Sequence, residues 1–207
     1  MSLRDFGDLN ALQLDALREI GNIGSGNAAT ALSSMLEKPV KIAVPAIKIL
    51  DYNEVVQSLG GPEELMVGLL LSLEGDVTGM IMFLLQKDFA HMVLNTLTGS
   101  SLPENGTIDE LSESAIREVG NIMAASYVNA IAELAGMRIQ LSVPSLCIDM
   151  AGSILSVPAI YYADISDKII MIEDQFEQGE TRAASHILLI PEVESLRQMM
   201  ASLGLEG

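Results

Sequence analysis

Arg18-Glu19-Ile20-Gly21-Asn22-Ile23 returns 99 residues further on as Arg117-Glu118-Val119-Gly120-Asn121-Ile122. At the same offset Ala31 meets Ala130, Val44 meets Val143, Pro45 meets Pro144 and Ile49 meets Ile148, so the register holds without a gap. Further on, Phe83-Leu84-Leu85 and a helix-like run ending at Gly99 resemble Leu188-Leu189-Ile190 and a run ending at Gly204, at an offset of 105. A small insertion in the second half accounts for the drift. Self-similarity of this kind marks a duplicated structural unit.

Each half reads as a long helix (10–37 and 109–136), a strand through the Val-Pro segment, then further strands and a closing helix. The strands are expected at Val40 to Leu50, Leu65 to Leu73 and Val77 to Leu85. Their second-half counterparts are Ile139 to Ile148, Val157 to Asp164, Lys168 to Glu173 and Ser185 to Ile190. Asp109 with Ser112 and Glu113 gives the second long helix an acidic, cap-rich start. Ser100 to Gly106, which contains Pro103, is the expected connector. A half-chain with one amphipathic helix leaves apolar strand surface uncovered, so the strands of both halves are expected to pool. The expected fold is therefore α/β: duplicated helix–strand units sharing one mainly antiparallel sheet, flanked by long helices and related by a pseudo-two-fold. Repeat 1 spans about residues 9–100 and repeat 2 about 108–205, in a single domain covering 1–207.

On a helical wheel at about 100° per residue, Asp15, Glu19, Asn22 and Gly26 fall within about 60° of one another. Leu17, Ile20, Ile23, Ala28, Ala31 and Met35 lie mostly opposite, so that face packs inward and the polar stripe looks out. The second helix repeats this with Ser114, Glu118 and Asn121 outward and Ile116, Val119, Ile122 and Ala130 inward. Gly21, Gly24 and Gly26 each cost a helix about 1 kcal/mol relative to Ala, which suggests close approach of another backbone or of a partner. Met123 and Ala125 stand where Gly24 and Gly26 stood. The outward Glu and Asn are identical in the two copies while many core neighbours differ. A carboxamide orients a water without ionising, and a carboxylate seizes a cation. Neither is a nucleophile by itself, so the pair needs a substrate that brings the rest of the machinery. A phosphorylated protein carrying its own metal ion and lysine suits, because phosphoryl transfer needs mainly an aligned water and charge neutralisation.

Composition narrows the classes. Hydrophobic residues make up 49% of the 207, ample for a core and incompatible with disorder. The longest apolar stretch, Leu65 to Leu73, stops at Glu74 and Asp76, short of the roughly 20 residues a membrane-spanning helix needs. No membrane insertion is expected. Near the N-terminus Arg4, Asp5 and Asp8 replace any signal-peptide-like apolar run, so a cytoplasmic location is expected. The net charge of −17 repels a phosphate backbone, and nucleic acid is not an expected partner. Cys147 is the only cysteine and reads as a small core residue. His91 and His186 read as surface or hydrogen-bonded residues, and no metal site of the chain's own is expected. The run Gly24-Ser25-Gly26-Asn27 lacks a following Gly-Lys-Ser/Thr and is no phosphate cradle. Ser25 and Ser126 have no base nearby in sequence to activate them. Met199 and Met200 read as core.

The pattern Asp15-x3-Glu19-x2-Asn22, with Pro45 after 22 intervening residues, recurs as Ser114-x3-Glu118-x2-Asn121 with Pro144 after 22 more. This closely resembles the signature of the CheC, CheX and FliY chemotaxis phosphatase family, in two copies spanning nearly the whole chain. The resemblance implies that Asn22 and Asn121 position the water attacking the aspartyl phosphate of a phosphorylated CheY-type regulator. It implies that Glu19 and Glu118 engage the receiver's lysine, that Asp15 and Ser114 support them, and that Pro45 and Pro144 fix the strand behind each helix. No cofactor of the chain's own is implied, and Mg2+ is expected on the response-regulator substrate. The resemblance also implies a second partner, the receptor deamidase CheD. The segment Cys147 to Gly152 resembles the region used for that contact, with Asp149 as the expected partner-binding residue. A non-catalytic module that binds the response regulator or CheD, like the related flagellar switch proteins lacking the Glu/Asn pairs, is the alternative.

Overall fold

The computed structural model describes residues 4–162, 166 and 168–206. The first half runs α1 (Ala11–Leu36), β1 (Lys41–Ile42), β2 (Ala46–Asp51), α2 (Tyr52–Ser58), β3 (Leu65–Gly75), β4 (Gly79–Gln86) and α3 (Lys87–Leu97). The second repeats it as α4 (Glu110–Ala135), β5 (Ile139–Leu141), β6 (Ser145–Met150), α5 (Ala151–Tyr162), β7 (Lys168–Gln178), β8 (Thr181–Pro191) and α6 (Val193–Ser202).

Both long helices start and stop on local signals placed 99 residues apart. Asn10 caps α1 by accepting from the Gln13 N–H while the Gln13 side chain accepts from the Asn10 N–H. Asp109 caps α4 by accepting from the Ser112 N–H at 2.8 Å. Each cap contributes about 1 kcal/mol. Both helices end on a left-handed residue, Glu37 at φ 49° and Gly136 at φ 64°. Glycine takes this conformation freely, whereas Glu37 adopts it at a cost of about 1 kcal/mol.

The strands form one antiparallel sheet with the order β1-β7-β8-β4-β3-β5, in which β2 also pairs β7 and β6 also pairs β3. Its centre is β4 against β8, with Phe83 opposite Ile187. The short strands cross over: β2 of the first half lies on β7 of the second, and β6 of the second lies on β3 of the first. Neither half completes a sheet alone, so the pooling expected from uncovered strand surface takes the form of an exchange. Leu69 and Gly68 show the layering, because successive strand residues point to opposite faces. A Cβ on Gly120 of α4 would lie 2.7 Å from Leu69, and one on Gly68 would lie 2.9 Å from Ile154 of α5. Helices therefore cover both faces, and β4 and β8 are accordingly buried nearly throughout. The turn into β4 needs Gly79, at φ 138°, since a Cβ there would sit 2.4 Å from the Ile190 carbonyl oxygen.

Three expectations are corrected. The strand expected over Val157 to Asp164 is replaced by helix through Tyr162, with Pro158 inside α5, and Asp164 lies outside the described residues. Burial of Ile154 and Leu155 against the sheet decides the conformation there, overriding the β-branched local composition. The equivalent short helix α2 was not anticipated either. Cys147 is exposed, because it sits on the edge strand β6 where exposed and half-buried residues alternate. His186 is buried in β8 opposite Leu84 and Glu173, and its Nδ1 meets no hydrogen-bond partner. His91 does accept a bond, from the Leu102 N–H at 3.2 Å. Met199 and Met200 are buried as expected.

Candidate functional site

Asp15, Glu19, Asn22 and Gly26 of α1, and Ser114, Glu118 and Asn121 of α4, are all exposed. Ile20, Ile116 and Val119 between them are buried, so the period of the helix alone places each row on the solvent side. Among the described residues the side chains of Glu19, Asn22, Glu118 and Asn121 make no hydrogen bond or ion pair, which leaves a carboxylate and a carboxamide one turn apart and uncommitted on each helix. The first positions differ: Asp15 pairs with Arg18, whereas Arg117 turns to Glu113 at 2.7 Å and donates to the Pro144 carbonyl oxygen. Gly21 lies against Ile47 and Pro45, and Gly24 against the Tyr127 ring. Gly26 faces open space, so its missing side chain serves no internal packing.

Behind the rows the two helices are joined by a buried polar cluster that the sequence reading missed. Ser25 of α1 donates to Asp174 of β7 at 2.7 Å, Tyr127 of α4 donates to the other carboxylate oxygen, and the two hydroxyl oxygens lie 2.5 Å apart. Ser25 therefore does have a carboxylate beside it, though burial of all three groups keeps any substrate away. Gly24 makes the arrangement possible, since a Cβ there would stand 2.6 Å from the Tyr127 ring. Gly24, a mid-helix glycine that marks a close approach, was the available signal. Three oxygen–oxygen contacts need three protons, and the hydroxyls supply two. Below about pH 6 a protonated Asp174 adds the third, and the three groups then donate round a ring instead of both hydroxyls donating to the carboxylate.

Electrostatics agrees. Burial pushes the Asp174 carboxyl up to about 6, against hydrogen bonds from Tyr127 and Ser25 that pull it down. Burial, with the charge of Asp174, pushes the Tyr127 hydroxyl far up, so it stays a donor. Because the folded value lies above the unfolded 3.8, the folded state holds a proton between these limits that the unfolded chain has released. The stabilisation is full below the unfolded value and is lost as pH rises through the folded one, on the order of 3 kcal/mol in all. Asp174→Asn keeps a donor and an acceptor without a charge. Urea unfolding of both proteins from pH 4 to 7 is expected to show the variant gaining on the wild type as pH rises; a constant gap would contradict a proton held by Asp174.

Asp149 stands exposed on β6 and borders a groove of about 420 Å³ lined by Gly68, Leu70, Met82, Cys147 and Ile154. Met150, Val157 and Ile160 are exposed on the same strand and the following helix. Burial, and then the Asp149 charge, push the Cys147 thiol up, so it is a poor nucleophile. Among the described residues no group of three or more His, Cys, Asp or Glu is placed to hold a metal ion, and no helix is long and apolar enough to cross a membrane.

Comparison with known proteins bears on the duplicated rows directly. The model of the CheC-like family matches residues 12–49 and 111–148, two segments offset by 99 that contain both rows and both prolines. The CheY-P phosphatase CheC of Bacillus subtilis is 32% identical over 206 residues, covering 96% of this chain and 97% of that protein. The fold is also that of Thermotoga maritima FliY, with a TM-score of 0.75 at 22% identity over 97% of this chain and 100% of that one. FliM of H. pylori, in complex with SpeE, gives a TM-score of 0.72 at 16% identity, covering 95% and 98%. With a family match in both halves and a relative aligned nearly end to end, the chain belongs to the CheC-like family.

Proposed function

We propose that the protein is a hydrolase that removes the phosphoryl group from the aspartate of a CheY-type response regulator in the cytoplasm, each Glu/Asn row serving as one site. The observation that carries this reading is the pair of exposed, uncommitted Glu/Asn rows on two helices locked together from behind. The name of the 32% identical relative, a CheY-P phosphatase, supports it.

In this mechanism Glu19 or Glu118 engages the receiver's lysine and fixes the helix over the acyl phosphate. The carboxamide of Asn22 or Asn121 then bonds a water in line with the phosphorus. The water oxygen forms the new P–O bond, the bond to the aspartyl oxygen breaks, and the receiver regains its carboxylate as phosphate and a proton depart. Mg2+ held by the receiver neutralises charge on the phosphoryl oxygens. Holding the water in place is the chain's contribution, and positioning of this kind is a large part of what phosphoryl transfer requires. The test is the rate of phosphate release from a phosphorylated receiver with and without the protein. Binding without acceleration, even with CheD present, would replace this reading by that of a binding module.

Asp149, exposed beside the groove and three apolar side chains, is the proposed contact for CheD. Asp149→Lys is expected to weaken CheD binding at least tenfold in a pull-down or calorimetric titration while leaving phosphate release by the protein alone unchanged. An unaltered complex would move the CheD surface elsewhere.

A further inference from the structure

Eight large hydrophobic side chains are exposed among the described residues, and four of them form two matched pairs. Leu12 and Leu111 are 66% and 65% exposed, Val44 and Val143 are 85% and 84% exposed, and each pair is related by the 99-residue offset. Single exposed aliphatic residues are ordinary. Two pairs of the same residue type at equivalent positions with matching exposure are another matter, since idle surface positions are where duplicated segments diverge. Both pairs border the Glu/Asn rows. Leu12 lies within about 20° of Glu19 on the helical wheel, two turns nearer the N-terminus, and Leu111 bears the same relation to Glu118. Val44 precedes Pro45, whose Cγ is 3.7 Å from where a Cβ on Gly21 would stand, next to Asn22.

The outward position of the valines is built into the sheet. The Ala43 N–H donates to the Gln175 carbonyl at 3.0 Å and the Ser142 N–H to the Ser72 carbonyl at 3.1 Å, tying each loop to a long strand of the opposite half. The proline that follows fixes φ, and Arg117 holds the Pro144 carbonyl from the helix side. A side chain presented by a rigid loop loses little ordering entropy on binding.

We infer that Leu12 with Val44, and Leu111 with Val143, are the apolar anchors that seat the phosphorylated receiver, the leucine at the N-terminal end of each Glu/Asn row and the valine beside it. This rests on the receiver-phosphatase reading above. The anchors adjoin the rows in both halves, from the end and from the side, so a partner seated on them covers the Glu and Asn side chains. That fits the receiver and not CheD, whose proposed contact Asp149 lies six residues from Val143, about 20 Å along an extended strand. The anchors set affinity, and the row performs the chemistry.

The test uses full-length protein with Asn121→Ala, so that only the first row turns over. Adding Leu12→Ser and Val44→Ser is expected to raise KM for the phosphorylated receiver at least tenfold with kcat within twofold. With Leu111→Ser and Val143→Ser added, so that neither row keeps its anchors, binding of a beryllofluoride-loaded receiver should weaken by a similar factor, a measurement independent of turnover. Val44→Thr, which keeps the side chain's shape, should show part of the effect and guards against misfolding. Unchanged KM and Kd overturn the anchors. A wild type that binds the loaded receiver without hastening phosphate loss sinks the phosphatase reading and leaves the variant's Kd to judge the anchors; a wild type that does not bind overturns both.

Discussion

The double substitution Asn22→Ala, Asn121→Ala is expected to return phosphate loss from the receiver to its unassisted rate, removing an acceleration of about a hundredfold, or about 2.7 kcal/mol of barrier. Alanine can neither accept from the attacking water nor donate to it, and among the described residues no neighbouring side chain is bonded to either Asn to take over. Because both positions are exposed, the change in folding stability stays within about 0.5 kcal/mol, so lost rate cannot be ascribed to unfolding. Each single variant is expected to remove one row's share, the two shares together accounting for the whole. Glu19→Ala and Glu118→Ala, proposed to act on engagement of the receiver, are expected to raise KM more than they lower kcat. Phosphate release under single-turnover conditions checks this. A double variant that retains the wild-type rate would show that the carboxamides do not hold the water.

Tyr127→Ala is expected to cost about 4 to 5 kcal/mol of stability, and Tyr127→Phe about 1 to 3 kcal/mol. The ring of Tyr127 is buried between α1 and α4, edge-on to Phe83 at 6.2 Å and against Gly24. Truncation empties that volume and strips Asp174 and Ser25 of a partner in the interior. Phenylalanine refills the volume and leaves only the polar loss. Urea unfolding curves separate the two. Phosphate release by Tyr127→Phe is expected to fall at both rows together, because the contact fixes the two helices relative to each other. A cost for Tyr127→Ala below about 1 kcal/mol would show that the helix pair is held by something else.

What the sequence by itself determined lies within one turn or one offset. The start of α4 was legible because Asp109 acts on its own neighbours, and the Glu/Asn rows because the helical period sorts Glu19 and Asn22 from Ile20. The duplication was legible as plain repetition, and with it the pooled sheet. What depends on residues distant in the chain was decided only by the tertiary structure. The exchange of β2 and β6 between halves leaves no local trace, since each strand reads the same whichever partner it takes. Helix α5 forms where composition favours a strand because Ile154 and Leu155 have a sheet face to cover. Cys147 and His186 exchanged their expected places because an edge strand and a central strand differ in their neighbours, not in their own composition. The Ser25–Tyr127–Asp174 cluster joins groups 47 to 149 residues apart, and the Asp174 carboxyl is pushed up there because folding removes the water that would otherwise solvate the carboxylate.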